Sequence, residues 1–71
     1  MIILKFERIK NLREDRDLRQ KDLAAILCID QSTYSDYENG IINIPIEALI
    51  KIADFYKVSL DYLVGRKDDI D

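Results

Sequence analysis

The hydrophobic positions between residues 20 and 40 recur at helical spacing in two short segments. In the first segment, Leu23, Ile26 and Leu27 fall at i, i+3 and i+4, which gives a short helix one apolar face. After a break at residues 28–30 the pattern restarts with Tyr34 and Tyr37 facing inward. The outward positions of this second segment are polar: Gln31, Ser32, Ser35 and Asp36. The pattern predicts two short helices joined by a tight turn.

The residues that bound these two helices suit a helix-turn-helix. Asp30 is suited to cap the start of the second helix, and Gly40 is suited to end it. Helices this close in sequence must cross at a steep angle, and Ala24 supplies a small side chain at the crossing. A short helix with small, hydrogen-bonding outer residues can enter a DNA major groove. From periodicity alone, an ordinary helical hairpin in a small bundle fits equally well.

Another helix is predicted upstream of this pair, from about Leu4 to Arg16. Most of its charged side chains are expected to lie on a solvated face, opposite an apolar stripe. The stripe consists of Phe6, Ile9 and Leu12. The connector that follows carries Leu18 as an expected core residue.

Two helices are predicted downstream, which makes the chain an all-α domain of five short helices. One should hold Pro45 in its first turn and close at about Lys57. Ser59 should cap the last, short helix, and Gly65 should end it. We therefore expect one domain over residues 1–65 and a short polar tail over residues 66–71.

Composition favours a small helical protein without catalytic chemistry. A chain of 71 residues has room for one small core. The chain has no His and a lone Cys28, so it offers no ligand set for a structural zinc and no usual nucleophile and base pair. No enzyme activity, metal or other cofactor is expected. Cys28 itself is expected to be a half-buried apolar residue in the turn.

We expect neither a membrane-spanning segment nor an export signal. The apolar start at residues 1–4 is interrupted by Lys5 and lacks a cleavage pattern, and no apolar run is long enough to span a bilayer. A single cysteine excludes an internal disulfide and fits a reducing compartment. We expect a cytoplasmic protein.

Charge is distributed unevenly along the chain, whose total is −3. Residues 1–21 carry a net charge of +3, whereas residues 22–50 contain no Lys or Arg and carry −5. Binding to duplex DNA draws much of its affinity from cations placed on phosphates. The acidic second half of the predicted motif is therefore unusual for a DNA-binding protein.

The ordered set of residues nevertheless resembles the DNA-binding domains of the lambda-repressor and Cro class, often called the XRE family. The resemblance runs from about Phe6 to Gly65. Its matching positions are Gln20, Leu23, Ala24, Leu27, Ile29, Tyr34, the run Tyr37-Glu38-Asn39-Gly40, Pro45, Leu49, Ile52-Ala53 and the run Val58-Ser59-Leu60-Asp61-Tyr62-Leu63.

The resemblance implies a sequence-specific bacterial or phage-encoded regulator, a repressor by expectation, that binds double-stranded DNA as a homodimer. Because 71 residues leave no room for a separate effector domain, no small-molecule effector is expected. The resemblance also implies a structural ion pair between Arg13 and Glu38. Phosphate contacts are expected from Arg19, Gln20 and Lys21. Contacts to base edges are expected from Gln31, Ser32, Ser35 and Asp36.

Several positions depart from the family pattern. Cys28 and Lys57 stand where glycine is usual, and Asp36 stands where relatives often carry a basic or amide residue. The loop after Gly40 carries Ile41, Ile42 and Ile44 instead of Lys or Arg. These isoleucines could fold into the core or form an exposed interface. The second hypothesis is therefore a protein-interaction module that keeps this fold but binds DNA weakly or not at all.

Overall fold

The computed structural model describes residues 6–66 and contains five helices. They are α1 (Glu7–Asp15), α2 (Gln20–Leu27), α3 (Gln31–Asn39), α4 (Ile46–Tyr56) and α5 (Leu60–Leu63). No strand occurs among the described residues. The predicted all-α class with five short helices is confirmed.

The start of the first helix was predicted too early. Phe6 has an extended backbone (φ −102°, ψ 93°) and precedes the helix, which begins at Glu7. Leu4 and the tail at residues 67–71 lie outside the described residues. The apolar pattern placed Phe6 inside the helix because the side chain still packs against the core, although its backbone is not helical.

Every helix contributes at least one fully buried residue to the core, and α4 contributes two. These residues are Ile9, Leu23, Tyr34, Ile52, Tyr56 and Leu63. Helices α2 and α3 make the most extensive pairing, and Ala24 is buried with them. The inward orientation expected for Tyr34 and Tyr37 is confirmed, since both side chains are buried. These buried side chains fix the orientation of α3, the helix that is predicted to contact base edges.

Three helices end in a left-handed residue, and two of these residues are not glycine. Cys28 (φ 58°) closes α2, Gly40 (φ 72°) closes α3 and Lys57 (φ 57°) closes α4. In the α2–α3 turn, the N–H of Ile29 donates to the carbonyl of Ala24 at 2.9 Å. Glycine would adopt these angles without the steric cost of a Cβ, about 1 kcal/mol or more. Cys28 is exposed, so the expected half-buried environment is wrong.

After α1, the helices start where the sequence signals predict, with differences at Asp30 and Pro45. The Ser59 hydroxyl accepts a hydrogen bond from the N–H of Tyr62 at 3.0 Å, as its capping role requires. Asp30 occupies the cap position of α3, but its side chain makes no cap hydrogen bond. Pro45 immediately precedes α4 instead of lying in its first turn.

Most charged side chains of the first predicted helix are exposed, as expected, but Arg8 of α1 and Arg16, which directly follows α1, also bind other helices. Arg8 donates to the carbonyl of Tyr62 at 2.8 Å, and its guanidinium lies 4.2 Å from the centre of the Tyr62 ring. Arg16 donates to the carbonyl of Tyr56 at 3.2 Å and lies 5.0 Å from that ring. These cations hold α1 against α4 and α5 through hydrogen bonds and cation–π contacts.

Candidate nucleic-acid interface

The first turn of α3 is the most accessible part of the predicted base-reading surface. Gln31 and Ser32 are exposed, whereas Ser35 and Asp36 are half-buried. The four side chains share the outer side of a helix whose inner side holds Tyr34 and Tyr37. The first turn of the helix therefore exposes its side chains to solvent, on the side where a recognition helix carries its base contacts.

Ser35 has a neighbour that sequence reasoning missed. The Nδ2 atom of Asn39 donates to the Ser35 hydroxyl oxygen at 3.3 Å, one helical turn away. Asn39 is exposed, so its amide lies at the edge of the same surface. The i, i+4 spacing of the two residues was the available signal.

The start of α2 brings together the three residues expected to contact phosphate. Arg19 and Lys21 are exposed, and Gln20 is half-buried between them. The backbone N–H of Arg19 donates to the Asp22 carboxylate at 2.8 Å. The first N–H groups of a helix have no intrahelical acceptor and carry partial positive charge, which favours an anion there. The nearby Asp22 carboxylate opposes part of this field.

Gln20 is held by an internal contact as well. Its Nε2 atom donates to Glu38 Oε1 at 3.1 Å, which ties the start of α2 to the end of α3. The side-chain amide is therefore already engaged with the protein. The backbone N–H at the start of α2 remains the better candidate for a phosphate contact.

Glu38 is the buried charged residue at the centre of this region. Its carboxylate accepts from Arg13 at two points, Nε to Oε2 at 2.7 Å and Nη2 to Oε1 at 3.1 Å. A third Arg13 nitrogen, Nη1, donates to the carbonyl of Leu18 at 2.9 Å. The side chains are 12% and 2% exposed, so the pair is well shielded from water. Bidentate geometry of this kind fixes both distance and orientation.

The pKa shifts follow from these contacts. Burial alone would raise the pKa of Glu38, but hydrogen bonding to Arg13, together with the influence of Tyr34 and Gln20, holds it below its ordinary value. The hydrogen bond to Glu38 raises the pKa of Arg13. Burial, followed by the neighbouring Glu38, raises the pKa of Tyr34, whose hydroxyl makes no hydrogen bond of standard geometry among the described residues. The Arg13–Glu38 pair is charged at neutral pH.

The isoleucine loop between α3 and α4 divides into two parts. Ile44 is buried in the core, whereas Ile41 is 55% exposed and Ile42 is 37% exposed. The loop therefore has one isoleucine in the core and two that are exposed, and whether the exposed pair forms an interface stays a prediction. The exposed pair stands where the resemblance leads us to expect cations.

Neither a metal site nor a bilayer-spanning helix is found in the described part of the chain. No cluster of three or more metal-ligating side chains occurs over residues 6–66. None of the helices there is long and apolar enough to cross a membrane.

Comparison with known proteins places this geometry in a family. A helix-turn-helix family model matches residues 9–63. The chain is 35% identical over 65 residues to the uncharacterized HTH-type transcriptional regulator YobD of Bacillus subtilis, covering 92% of this chain and 58% of YobD. It is 37% identical over 61 residues to the cryptic phage CTXphi transcriptional repressor RstR of Vibrio cholerae, covering 86% of this chain and 55% of RstR.

A solved structure shows the same fold. A transcriptional regulator from Listeria innocua superposes with a TM-score of 0.81 at 27% identity, covering 93% of this chain and 63% of that protein. The chain thus spans little more than half the length of the curated relatives above. The family is one of DNA-binding regulators and not of enzymes. The chain belongs to the lambda-repressor- and Cro-like helix-turn-helix family of transcriptional regulators.

Proposed function

We propose that this chain is a sequence-specific, double-stranded-DNA-binding transcriptional repressor that acts as a homodimer. The observation that carries the proposal is the exposed first turn of α3, where Gln31 and Ser32 face outward. That turn stands on a helix held in place by the buried Arg13–Glu38 pair. Base recognition requires polar side chains on a rigidly packed helix, because small errors in side-chain position break bidentate hydrogen bonds.

Different residues of the surface suit different parts of DNA. Gln31 can pair bidentately with adenine, and Ser32 can donate or accept without strong discrimination. Ser35 lies beside them, and Asp36 can accept only from a base amino group such as that of cytosine. An aspartate here also repels phosphate, so it restricts where the helix can sit.

Phosphate contacts come from the start of α2. Arg19 and Lys21 supply the exposed cations, and the N-terminus of the helix at Gln20 supplies N–H groups and its dipole. A dimer brings two copies of this set to two half-sites. Because few cations are involved, the affinity for DNA depends on salt less steeply than in strongly basic repressors.

The biological setting follows from relatives of known name. RstR is a repressor of a cryptic phage, and ImmR of Bacillus subtilis is an HTH-type transcriptional regulator that is 34% identical over 62 residues. We assign this chain the same kind of role in the bacterial cytoplasm, encoded by a bacterium or a phage. Residues 1–65 form its DNA-binding domain and residues 66–71 a polar tail. Neither a cofactor nor a small-molecule effector is expected to take part.

The exposed Ile41 and the half-buried acidic Asp36 favour the second candidate, a protein-interaction module with little DNA binding. Site selection from a random duplex pool, followed by the double variant Q31A/S32A, separates the two. If the chain binds DNA sequence-specifically, Q31A/S32A should lose discrimination between the selected site and a scrambled site, by about 1–3 kcal/mol per good base contact. The control N11A removes an exposed amide from α1 and should keep the discrimination between the two sites. Equal affinity of all three proteins for both duplexes would favour the interaction module.

A further inference from the structure

Helix α4 has a second apolar side that the domain itself does not bury. Its inner side packs in the core through Leu49, Ile52, Ala53 and Tyr56. On the outer side, Ile46 is 53% exposed and Ile50 is 46% exposed, one helical turn apart. Neighbouring exposed isoleucines on one helix form the kind of patch that marks a contact with another macromolecule.

Opposite charges accompany these isoleucines at the same spacing. Glu47 follows Ile46 and Lys51 follows Ile50, and both are exposed. In a helix the four residues form two adjacent rows, one apolar and one charged, because i and i+4 lie above each other. We call this set (Ile46, Glu47, Ile50 and Lys51) the α4 outer face.

We propose that the α4 outer face docks onto the same face of a second copy of this chain, with the two α4 helices antiparallel across a two-fold axis. Ile46 then lies against the partner's Ile50, and Glu47 lies against the partner's Lys51. Each contact occurs twice, as an isologous interface demands. A parallel arrangement would instead place glutamate against glutamate and lysine against lysine.

The charge pattern is the reason for choosing a second copy as the occupant. Glu47 and Lys51 lie one turn apart, so this charged row matches a second copy of itself only when the second helix runs in the opposite direction. A strongly acidic or basic partner would meet one favourable and one unfavourable charge at this face. The inference deepens the homodimer in the proposed function, but docking of two copies needs no DNA and is tested without it.

Sedimentation equilibrium of the full chain over a wide concentration range tests the surface. The wild-type chain should dimerise, and I46D and I50D should each raise the dimer dissociation constant about tenfold or more, since each removes apolar burial and places a charge there. N11D introduces the same charge on the exposed side of α1 and should leave dimerisation unchanged. Circular dichroism spectra checked for all variants ensure that only folded chains are compared.

A charge exchange tests the antiparallel arrangement. E47K and K51E should each dimerise more weakly alone, since like charges then meet. An equimolar mixture of the two should form a heterodimer tighter than either homodimer, which a change within one helix cannot produce. A wild-type chain that stays monomeric at every concentration overturns the proposal. A dimer whose dissociation constant is unchanged in I46D and I50D also overturns it. So does an equimolar mixture of E47K and K51E that forms no heterodimer tighter than the homodimers.

The two proposals fail separately. Binding of I46D to a duplex with a single half-site should match the wild type, because its reading helix is untouched. Loss of dimerisation with intact half-site binding supports the α4 outer face and the DNA-binding proposal together. A chain that dimerises through this face but binds no DNA keeps the interface and removes the DNA-binding proposal.

Discussion

Arg13 of α1 and Glu38 of α3 lie 25 positions apart in sequence and meet at 2.7 Å in a shielded, two-point ion pair. The same carboxylate accepts from Gln20 at the start of α2. One glutamate therefore connects the three helices on which the candidate DNA surface stands. The next residue, Asn39, is exposed, so the buried ion pair and the candidate DNA surface are adjacent at the end of α3.

Removing one member of this pair should destabilise the fold strongly. R13M leaves a buried carboxylate without its charged partner, and a loss of about 3–5 kcal/mol in the free energy of unfolding is expected. The double variant R13M/E38L should lose less, because no unpaired charge remains buried. Urea denaturation of the three proteins measures both values. A loss below about 1 kcal/mol for R13M would show that the pair is energetically equivalent to an exposed one.

The stability of the domain should fall in acid partly through Glu38. Its pKa is lower in the folded chain than its ordinary value of 4.5, so the unfolded chain takes up the proton first as the pH falls. The stabilisation is complete above that ordinary value and disappears as the pH falls through the folded-state pKa. Denaturation at a series of pH values should therefore show a smaller acid loss for E38Q than for the wild type. Parallel pH profiles would contradict this assignment.

The two strained turns should tolerate glycine. C28G and K57G replace residues whose φ angles are 58° and 57°, and each should raise stability by roughly 0.5–1 kcal/mol. A25G is the matched control, since Ala25 is exposed within α2 and glycine there should cost about 1 kcal/mol. Thermal unfolding measures the three changes. A loss of stability in both turn variants would show that the side chains make compensating contacts.

The cations at the start of α2 should set the salt dependence of DNA binding. With Arg19 and Lys21 on phosphates in each protomer, a dimer should show a slope of log affinity against log salt of about −3 to −4. R19A and K21A should each reduce the slope by about one per protomer, at every DNA sequence. K10A, at an exposed lysine of α1, serves as the comparison. An unchanged slope in R19A and K21A would remove α2 from the phosphate contacts.

The sequence predicts α2 and α3 well because their apolar positions repeat at a single period and their ends carry distinct residues. It places the start of α1 too early, since the burial of the Phe6 side chain continues the apolar pattern beyond the helical backbone. The sequence could not predict that Ile44 is buried and Ile41 exposed, because two identical side chains in one loop differ only in the direction the backbone gives them.

Contacts of side chains with distant backbone were also beyond sequence reasoning. Arg8 and Arg16 bind carbonyls 54 and 40 positions away. Any residue type can supply a carbonyl, so no pattern marks the partner. The Gln20–Glu38 hydrogen bond was missed because the resemblance assigned Gln20 to phosphate and Glu38 to Arg13, although a carboxylate can accept several donors.

Fluorescence anisotropy of a labelled random-sequence duplex pool, titrated with the protein from low to physiological salt, tests the central claim most directly. A DNA-binding regulator should bind the pool at low salt and release it as salt rises, because phosphate contacts exchange with counterions. That result would justify selecting the preferred site from the same pool. No binding at low salt and high protein concentration would contradict the proposed function and favour the protein-interaction module.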